Sequence, residues 1–350
     1  MDFRSDNTTG CAEEILAALA EANVGSRTSY GEDEQTRRVV AQLQALFETE
    51  LAAFFVATGT AANALGLSLL SPAWGGVFCH EEAHIAVDEC GAPEFFTGGA
   101  KLTPLQGEHG KLSPETLAKH LPGGLGVVHH TQPSALSLSQ ATEAGTCYRP
   151  EEIAELARLA HRHGLGVHMD GARFANAVAF LGKTPAELTW RSGVDILSFG
   201  ASKNGALAAE AILVFDPARA ANLGYRRKRA GHLFSKMRVL STQLEAYLAN
   251  DLWMYHAQHA NAMARRLAEG MRDIGHVRLC HPVEANEVFA DLPEPLIGTL
   301  LAEGFQFYRW TEEHSTTVRL VTAFNTRPQD IDALIAAVRR YAPARANPGR

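Results

Sequence analysis

The sequence predicts an α/β protein: a mostly parallel sheet covered by helices on both faces, followed by a smaller α/β unit. Two observations predict it. From about residue 52 to about residue 215, short runs that are apolar on both faces alternate with helical stretches. After about residue 230 that alternation gives way to a long helical stretch and then to further short strands and helices. A run that is apolar throughout belongs in a sheet buried from both sides, and helices between such runs supply the crossovers that parallel strands require.

The elements follow in order. Residues 12–22 place Ile15, Leu16 and Leu19 on one helical face, and residues 33–48 place Val39, Val40, Leu43, Leu46 and Phe47 at helical spacing. Ala53-Phe54-Phe55-Val56 reads as the first strand, with a helix from about Thr60. Residues 77–79, 126–128, 166–169, 195–198 and 211–215 read as further strands, and 150–163 as a helix between two of them. Residues 238–274, rich in Ala and Leu, read as one long helical stretch. Short strands near 277–279, 287–289, 305–308 and 318–321 follow, with helices near 294–303 and 328–341. The boundary between the two units falls within 235–265. It divides the chain into a large domain with its N-terminal segment, 1–250, and a small C-terminal α/β domain, 251–350. The small, polar tail 343–350 is expected to fray.

A chain of 350 residues is too long for one minimal domain. Hydrophobic residues make up 46% and charged residues 20%, ordinary values for a soluble globular enzyme. A net charge of −7 argues against nucleic-acid and anionic-membrane partners, although Arg226-Arg227-Lys228-Arg229 is a local basic run. No apolar run reaches the roughly 18 residues of a membrane span, and Met1-Asp2-Phe3-Arg4-Ser5-Asp6 lacks the apolar stretch of a signal peptide. The 5 cysteines are scattered and form no CxxC pair, so free thiols are expected rather than a disulfide or zinc framework, and no metal site. A cytoplasmic enzyme is expected.

Two segments carry chemistry together that neither carries alone. In Val167-His168-Met169-Asp170-Gly171-Ala172-Arg173 a buried strand ends in an acid, at the strand end where open parallel sheets bind ligands. Alone, Asp170 reads as a helix cap or turn residue. In Ser198-Phe199-Gly200-Ala201-Ser202-Lys203-Asn204-Gly205, just past the following strand, Lys203 sits among small residues. Alone it reads as a solvated loop lysine. As a pair they match what pyridoxal phosphate (PLP) needs: a lysine to form a Schiff base with its aldehyde, and an acid to keep its ring nitrogen protonated. Thr58-Gly59-Thr60-Ala61-Ala62-Asn63 opens a helix after the first strand, where Gly59 and the Thr60 hydroxyl suit a phosphate; Ser202 is a further candidate contact.

These segments, with Phe3-Arg4-Ser5-Asp6, Tyr30-Gly31-Glu32-Asp33, Thr142-Glu143-Ala144-Gly145-Thr146, Asn286-Glu287-Val288-Phe289 and Arg319-Leu320-Val321-Thr322 in the same order, resemble the low-specificity L-threonine aldolases, fold type I PLP enzymes close to phenylserine aldolases. The resemblance spans about residues 2–340. It implies a seven-stranded-type, mostly parallel sheet sandwiched by helices, and reversible cleavage of L-threonine, L-allo-threonine and related β-hydroxy-α-amino acids to glycine and an aldehyde. It implies that His84 stacks on the cofactor ring and takes part in proton transfer, and that Arg173 contacts the ring's 3-oxygen side. Arg319 and Ser5 would hold the substrate carboxylate, for which a planar guanidinium is well shaped, with Tyr30 nearby or in an adjacent subunit's site. The basic run at Lys228 and Arg229 matches a segment that reaches a phosphate or a neighbouring subunit, in a homotetramer built as a dimer of dimers. Many relatives carry a His where Glu143 stands here, so the base for the β-hydroxyl is open between His84 and Glu143. Another fold type I reaction, β-elimination or transamination, and a non-catalytic PLP carrier are the alternatives.

Overall fold

The computed structural model describes residues 1–121, 124–310 and 314–341; the tail on which fraying was expected lies outside them. Its main sheet has seven strands: β1 (Ala52–Val56), β2 (Gly75–His80), β3 (Lys101–Leu105), β4 (Gln132–Ser139), β5 (Gly166–Gly171), β6 (Ile196–Gly200) and β7 (Glu210–Val214). Their order is β1-β7-β6-β5-β4-β2-β3, and every pairing is parallel except those of β7, which runs against both neighbours.

Strands β2, β5, β6 and β7 are buried along their whole length, as their mostly apolar sequences allow. Alternate residues feed opposite faces. Leu197 and Phe199 join a core with Phe47, Phe174 and Leu244, while Ile196, Ile212 and Val56 pack against Ala62 and Leu65 of the helix Gly59–Leu70. The helix Glu34–Phe47 lies on the first of these faces. It is capped by Asp33, whose side chain accepts from the Thr36 amide.

The second sheet is antiparallel, in the order β10-β11-β9-β8, from β8 (Arg278–Leu279), β9 (Glu287–Asp291), β10 (Tyr308–Arg309) and β11 (Thr317–Val321). The N-terminal segment joins this unit. The Phe3 amide donates to the Gln306 carbonyl, the Val321 amide donates to the Phe3 carbonyl, and the Phe3 ring is buried in the small core with Leu320 and Val288. The helix Leu252–Arg272 serves both cores, with Trp253 and Ala257 in the large one and Leu267 and Met271 in the small one.

Several expectations are corrected. Residues 126–128 form a turn, not a strand: Val128 is 93% exposed, and the chain enters the sheet later, at Gln132. The single helical stretch at 238–274 is two helices, Arg238–Leu248 and Leu252–Arg272, broken where Asn250 and Asp251 adopt positive φ (52° and 56°). The strand expected at 305–308 is shorter and later, because Gln306 instead makes an isolated bridge with Asp2. The edge strand β3 was not foreseen.

Candidate active site

The loops that leave the carboxyl ends of β1, β2, β4, β5 and β6, and the start of antiparallel β7, converge on one edge of the sheet. Asp170 ends β5 opposite Ser139 of β4 and Ser198 of β6. Its side chain is buried; Oδ2 accepts from Asn63 Nδ2 at 2.8 Å and Oδ1 from the Ala172 amide at 3.0 Å. One turn back along β5, His168 is clasped between the Ser137 and Ser198 hydroxyls (2.9 and 3.0 Å), and burial drives its pKa down to about 4. It is a neutral core residue beneath the site.

Lys203 stands in the short 3₁₀ turn Ser202–Asn204 directly after β6. Its positive charge is felt at Asp6, Glu210 and His84. Glu210 lies beside Gly200 in β6 and Val56 in β1, and its carboxylate accepts from the Ala201 and Ser202 amides, both at 3.3 Å. Burial pushes this carboxyl up to about 7, against the Ser202 donors and the Lys203 charge. The Ser202 hydroxyl accepts from the Ala209 amide at 3.2 Å, so it braces the lysine turn.

At the end of β1, Thr58 caps the helix Gly59–Leu70 by accepting from the Ala61 amide at 3.1 Å. The amides of Gly59 and Thr60 belong to the first turn, where no intrahelical acceptor serves them, and a Cβ built at Gly59 would meet nothing within 4 Å. An anion fits such a helix start. His84 opens the short helix His84–Val87 after β2, and its Nδ1 lies 2.8 Å from Glu89 Oε1.

Asp6, Arg173, Glu287 and Arg319 form the charged floor. Arg173 donates from Nε and Nη2 to the two Asp6 carboxylate oxygens at 2.8 and 3.1 Å, and Nη2 lies 3.3 Å from Glu287 Oε1. Burial opposes the charge of both partners. Asp6 and Glu287 nevertheless raise the Arg173 pKa, and the Arg173 and Lys203 charges hold the Asp6 carboxyl below the ordinary range. Arg319, on β11, is less engaged. Its guanidinium lies over the Trp310 ring at 4.7 Å, Nη2 donates to the Arg4 carbonyl at 3.3 Å, Nη1 lies 3.9 Å from Glu287, and the buried Nε has no partner among the described residues. Ser5, next to Arg4, accepts from the Asn7 amide at 3.1 Å. Glu143 reaches the same cluster: its charge is felt at His84, Arg173 and Glu287.

The structure therefore brings Lys203, Asp170, His84, Glu143, Arg173, Arg319, Ser5, Gly59, Thr60 and Ser202 to one edge. Tyr30, Lys228 and Arg229 stand apart. The Lys228 ammonium lies 5.0 Å over the Tyr30 ring, on the surface, and among the described residues no contact joins this pair to the Lys203 cluster. Within that basic run Arg227, not the exposed Lys228 or Arg229, is drawn inward. It stacks on Phe54 at 5.2 Å, leaves its buried Nε unpartnered, and burial lowers its pKa to about 10. Asp6, Asn63 and Glu287 stand within the motifs without a role legible from sequence, and Glu89 and Glu210 carry no sequence signal. Only the burial of these polar groups against one another reveals them.

A seven-stranded sheet with one antiparallel strand, an acid ending β5 and a lysine just past β6 defines a fold type I PLP-dependent enzyme. The model of the β-eliminating lyase family matches residues 2–295. Low specificity L-threonine aldolase of Pseudomonas aeruginosa is 47% identical over 89% of this chain and 90% of its own. The enzyme of the same name from a Pseudomonas sp. is 43% identical over 96% of each. The solved structure of Leishmania major threonine aldolase superposes with a TM-score of 0.91 at 27% identity, covering 97% of this chain and 98% of that one. The chain belongs to the low-specificity L-threonine aldolase family.

Proposed function

We propose that this protein is an aldehyde-lyase that uses PLP to cleave L-threonine, L-allo-threonine and related β-hydroxy-α-amino acids, phenylserine among them, reversibly to glycine and an aldehyde. One observation carries the reading. A strand-end acid, Asp170, and Lys203 share the sheet edge with an arginine, Arg319, whose buried Nε has no partner among the described residues.

The residues present fit the cofactor. Lys203 would hold its aldehyde carbon, Asp170 its ring nitrogen and His84 its face. The Gly59 and Thr60 amides, with Ser202 as a further candidate, would hold its phosphate. Two donors of Arg173 are committed to Asp6, so only Nη1 is left for the ring's 3-oxygen side. The bound cofactor supplies the sink for the electrons of the breaking Cα–Cβ bond. The protein's own residues do the rest. Arg319 and Ser5 hold the substrate carboxylate and fix its orientation, and the β-hydroxyl proton passes to His84 Nε2, directly or through water, or to Glu143. Asp6 and Glu287 keep the arginines in place.

Aldehyde release from L-threonine, L-allo-threonine and L-phenylserine tests the reaction; no aldehyde from any of the three sinks it. Lys203→Ala is expected to lose both the visible absorbance of bound cofactor and the cleavage. The matched family model is named for β-elimination, so that reaction is the competing reading. A keto acid with ammonia, in place of aldehyde and glycine, would favour it.

We further infer a homotetramer, a dimer of dimers, in which Tyr30, Lys228 and Arg229 turn toward a neighbouring subunit's site; their exposure and separation from the Lys203 cluster support this. A cytoplasmic location is supported by the cysteines, all of them free. No described helix is long and apolar enough to cross a membrane. Division at 250/251 is supported by the break between the helices Arg238–Leu248 and Leu252–Arg272, where Asn250 and Asp251 adopt positive φ.

A further inference from the structure

The His84 ring has one nitrogen that is already committed. Glu89 Oε1 sits 2.8 Å from His84 Nδ1, and the same oxygen accepts from Asn63 Nδ2, also at 2.8 Å. The second Asn63 Nδ2 hydrogen goes to Asp170 Oδ2 at 2.8 Å. An amide nitrogen has two hydrogens, and both are used on carboxylate oxygens. The reverse amide orientation would set a carbonyl oxygen against two carboxylates, so the arrangement has one sense only.

These side chains come from separate elements: the start of the helix after β2, the turn that follows it, the first turns of the helix Gly59–Leu70, and the end of β5. Glu89 has a wholly buried side chain, whereas His84 retains 31% exposure. A buried carboxylate is expensive to place unless it is hydrogen-bonded, and among the described residues Glu89 has no basic partner other than His84.

We propose that Glu89 is a positioning residue for His84, and that Asn63 ties this pair to Asp170 in one hydrogen-bonded circuit. The inference rests on the assignment of His84 and Asp170 to the cofactor ring. The circuit then joins the residue that would face the ring to the acid that would face its nitrogen, through the protein's own side chains. Glu89 takes the Nδ1 hydrogen, so His84 presents Nε2 to the site, and the imidazole is held in one orientation.

The charges around His84 agree with this geometry. The Glu89 hydrogen bond raises the His84 pKa most; Asp170 and Glu143 add to it, while burial and Lys203 oppose it. Burial pushes the Glu89 carboxyl up, and the His84 and Asn63 donors pull it part of the way back. His84, Glu89 and Asp170 have ligand atoms within 4.8 Å of one another, near enough to share a cation. The Asn63 amide fills that role with two hydrogen bonds.

The test uses the purified full-length chain stripped of cofactor. Diethyl pyrocarbonate modifies neutral imidazole, so peptide mass spectrometry of His84 modification against pH reads its titration directly. Glu89→Gln keeps an acceptor of the same shape and removes the charge. It is expected to move the His84 midpoint down by about one pH unit. Glu89→Asp keeps a buried charge on a shorter arm, and is expected to move the midpoint the same way by less. A midpoint unmoved in either folded variant overturns the proposal. Aldehyde release by the unaltered protein is read separately. An active enzyme with an unmoved midpoint removes Glu89 alone, and a shifted midpoint without aldehyde release removes the reaction and leaves the Glu89–His84 contact standing.

Discussion

Arg173 and Arg319 both approach Glu287, yet they occupy opposite situations. Arg173 is saturated along its Nε and Nη2 side: Asp6 receives two of its donors, Glu287 lies alongside, and Asn286 braces Asp6 from the far side at 3.1 Å. Arg319 is underfilled. It leans on the Trp310 ring, touches one backbone carbonyl and Glu287 only at long range, and keeps a buried Nε unpaired. A saturated guanidinium is an anchor, because breaking it strands a charge out of water. An underfilled one is a receptor, because an incoming carboxylate satisfies donors that the protein left open.

The sharpest way to break this contrast is Asp6→Ala. It strands Arg173 and is expected to cost about 3–5 kcal/mol of folding stability, read as a fall in Tm. The pH dependence has a definite sign. The folded Asp6 carboxyl is held low, so its contribution is present above the unfolded value of about 4 and is lost as pH falls through the lower folded value. The Tm gap between variant and wild type should therefore hold at neutral pH and narrow only under strong acid. A gap that closes near pH 6 would point to another group.

Arg319→Ala should leave Tm nearly unchanged and lower kcat/KM for L-threonine roughly 100-fold, mostly through KM. Unaltered kinetics would take Arg319 out of the carboxylate site. The smallest effect is expected from Glu287→Gln. Burial already pushes that carboxyl up, and neither of its oxygens accepts a hydrogen bond. Loss of its charge should change stability by less than about 1 kcal/mol. A loss larger than that of Asp6→Ala would make Glu287 the true anchor of Arg173 and invert the comparison.

The same contrast explains what sequence could and could not reveal. Strands β5, β6 and β7 were legible because residues buried on both faces must be apolar throughout. Strand β3 was not, because Lys101-Leu102-Thr103-Pro104-Leu105 sits at the sheet edge, where a lysine and a proline are tolerated. Strand β4 was misplaced onto 126–128 because its first residues, Gln132-Pro133-Ser134, look like a loop. Asp170 and Lys203 were legible because a cofactor needs both, at the ends of adjacent strands. The partners that hold the arginines were not. Asp6 and Arg173 lie 167 residues apart in the sequence, and Glu89 is linked to Asp170 through Asn63. No periodicity links residues that meet only after the chain has folded.

The opening segment has a consequence for how the molecule is made. Residues 1–6 are synthesised long before their partners: Phe3 pairs with Gln306 and Val321, and Asp6 with Arg173 and Asn286. The first partner of Asp6 follows 167 residues later, and the partners of Phe3 later still. Until then an apolar ring and an acid that will finish buried must remain in solvent or in chaperone hands. Closing this segment onto β11 is therefore a late event, and the charged floor in which Asp6 holds Arg173 is completed only when it occurs.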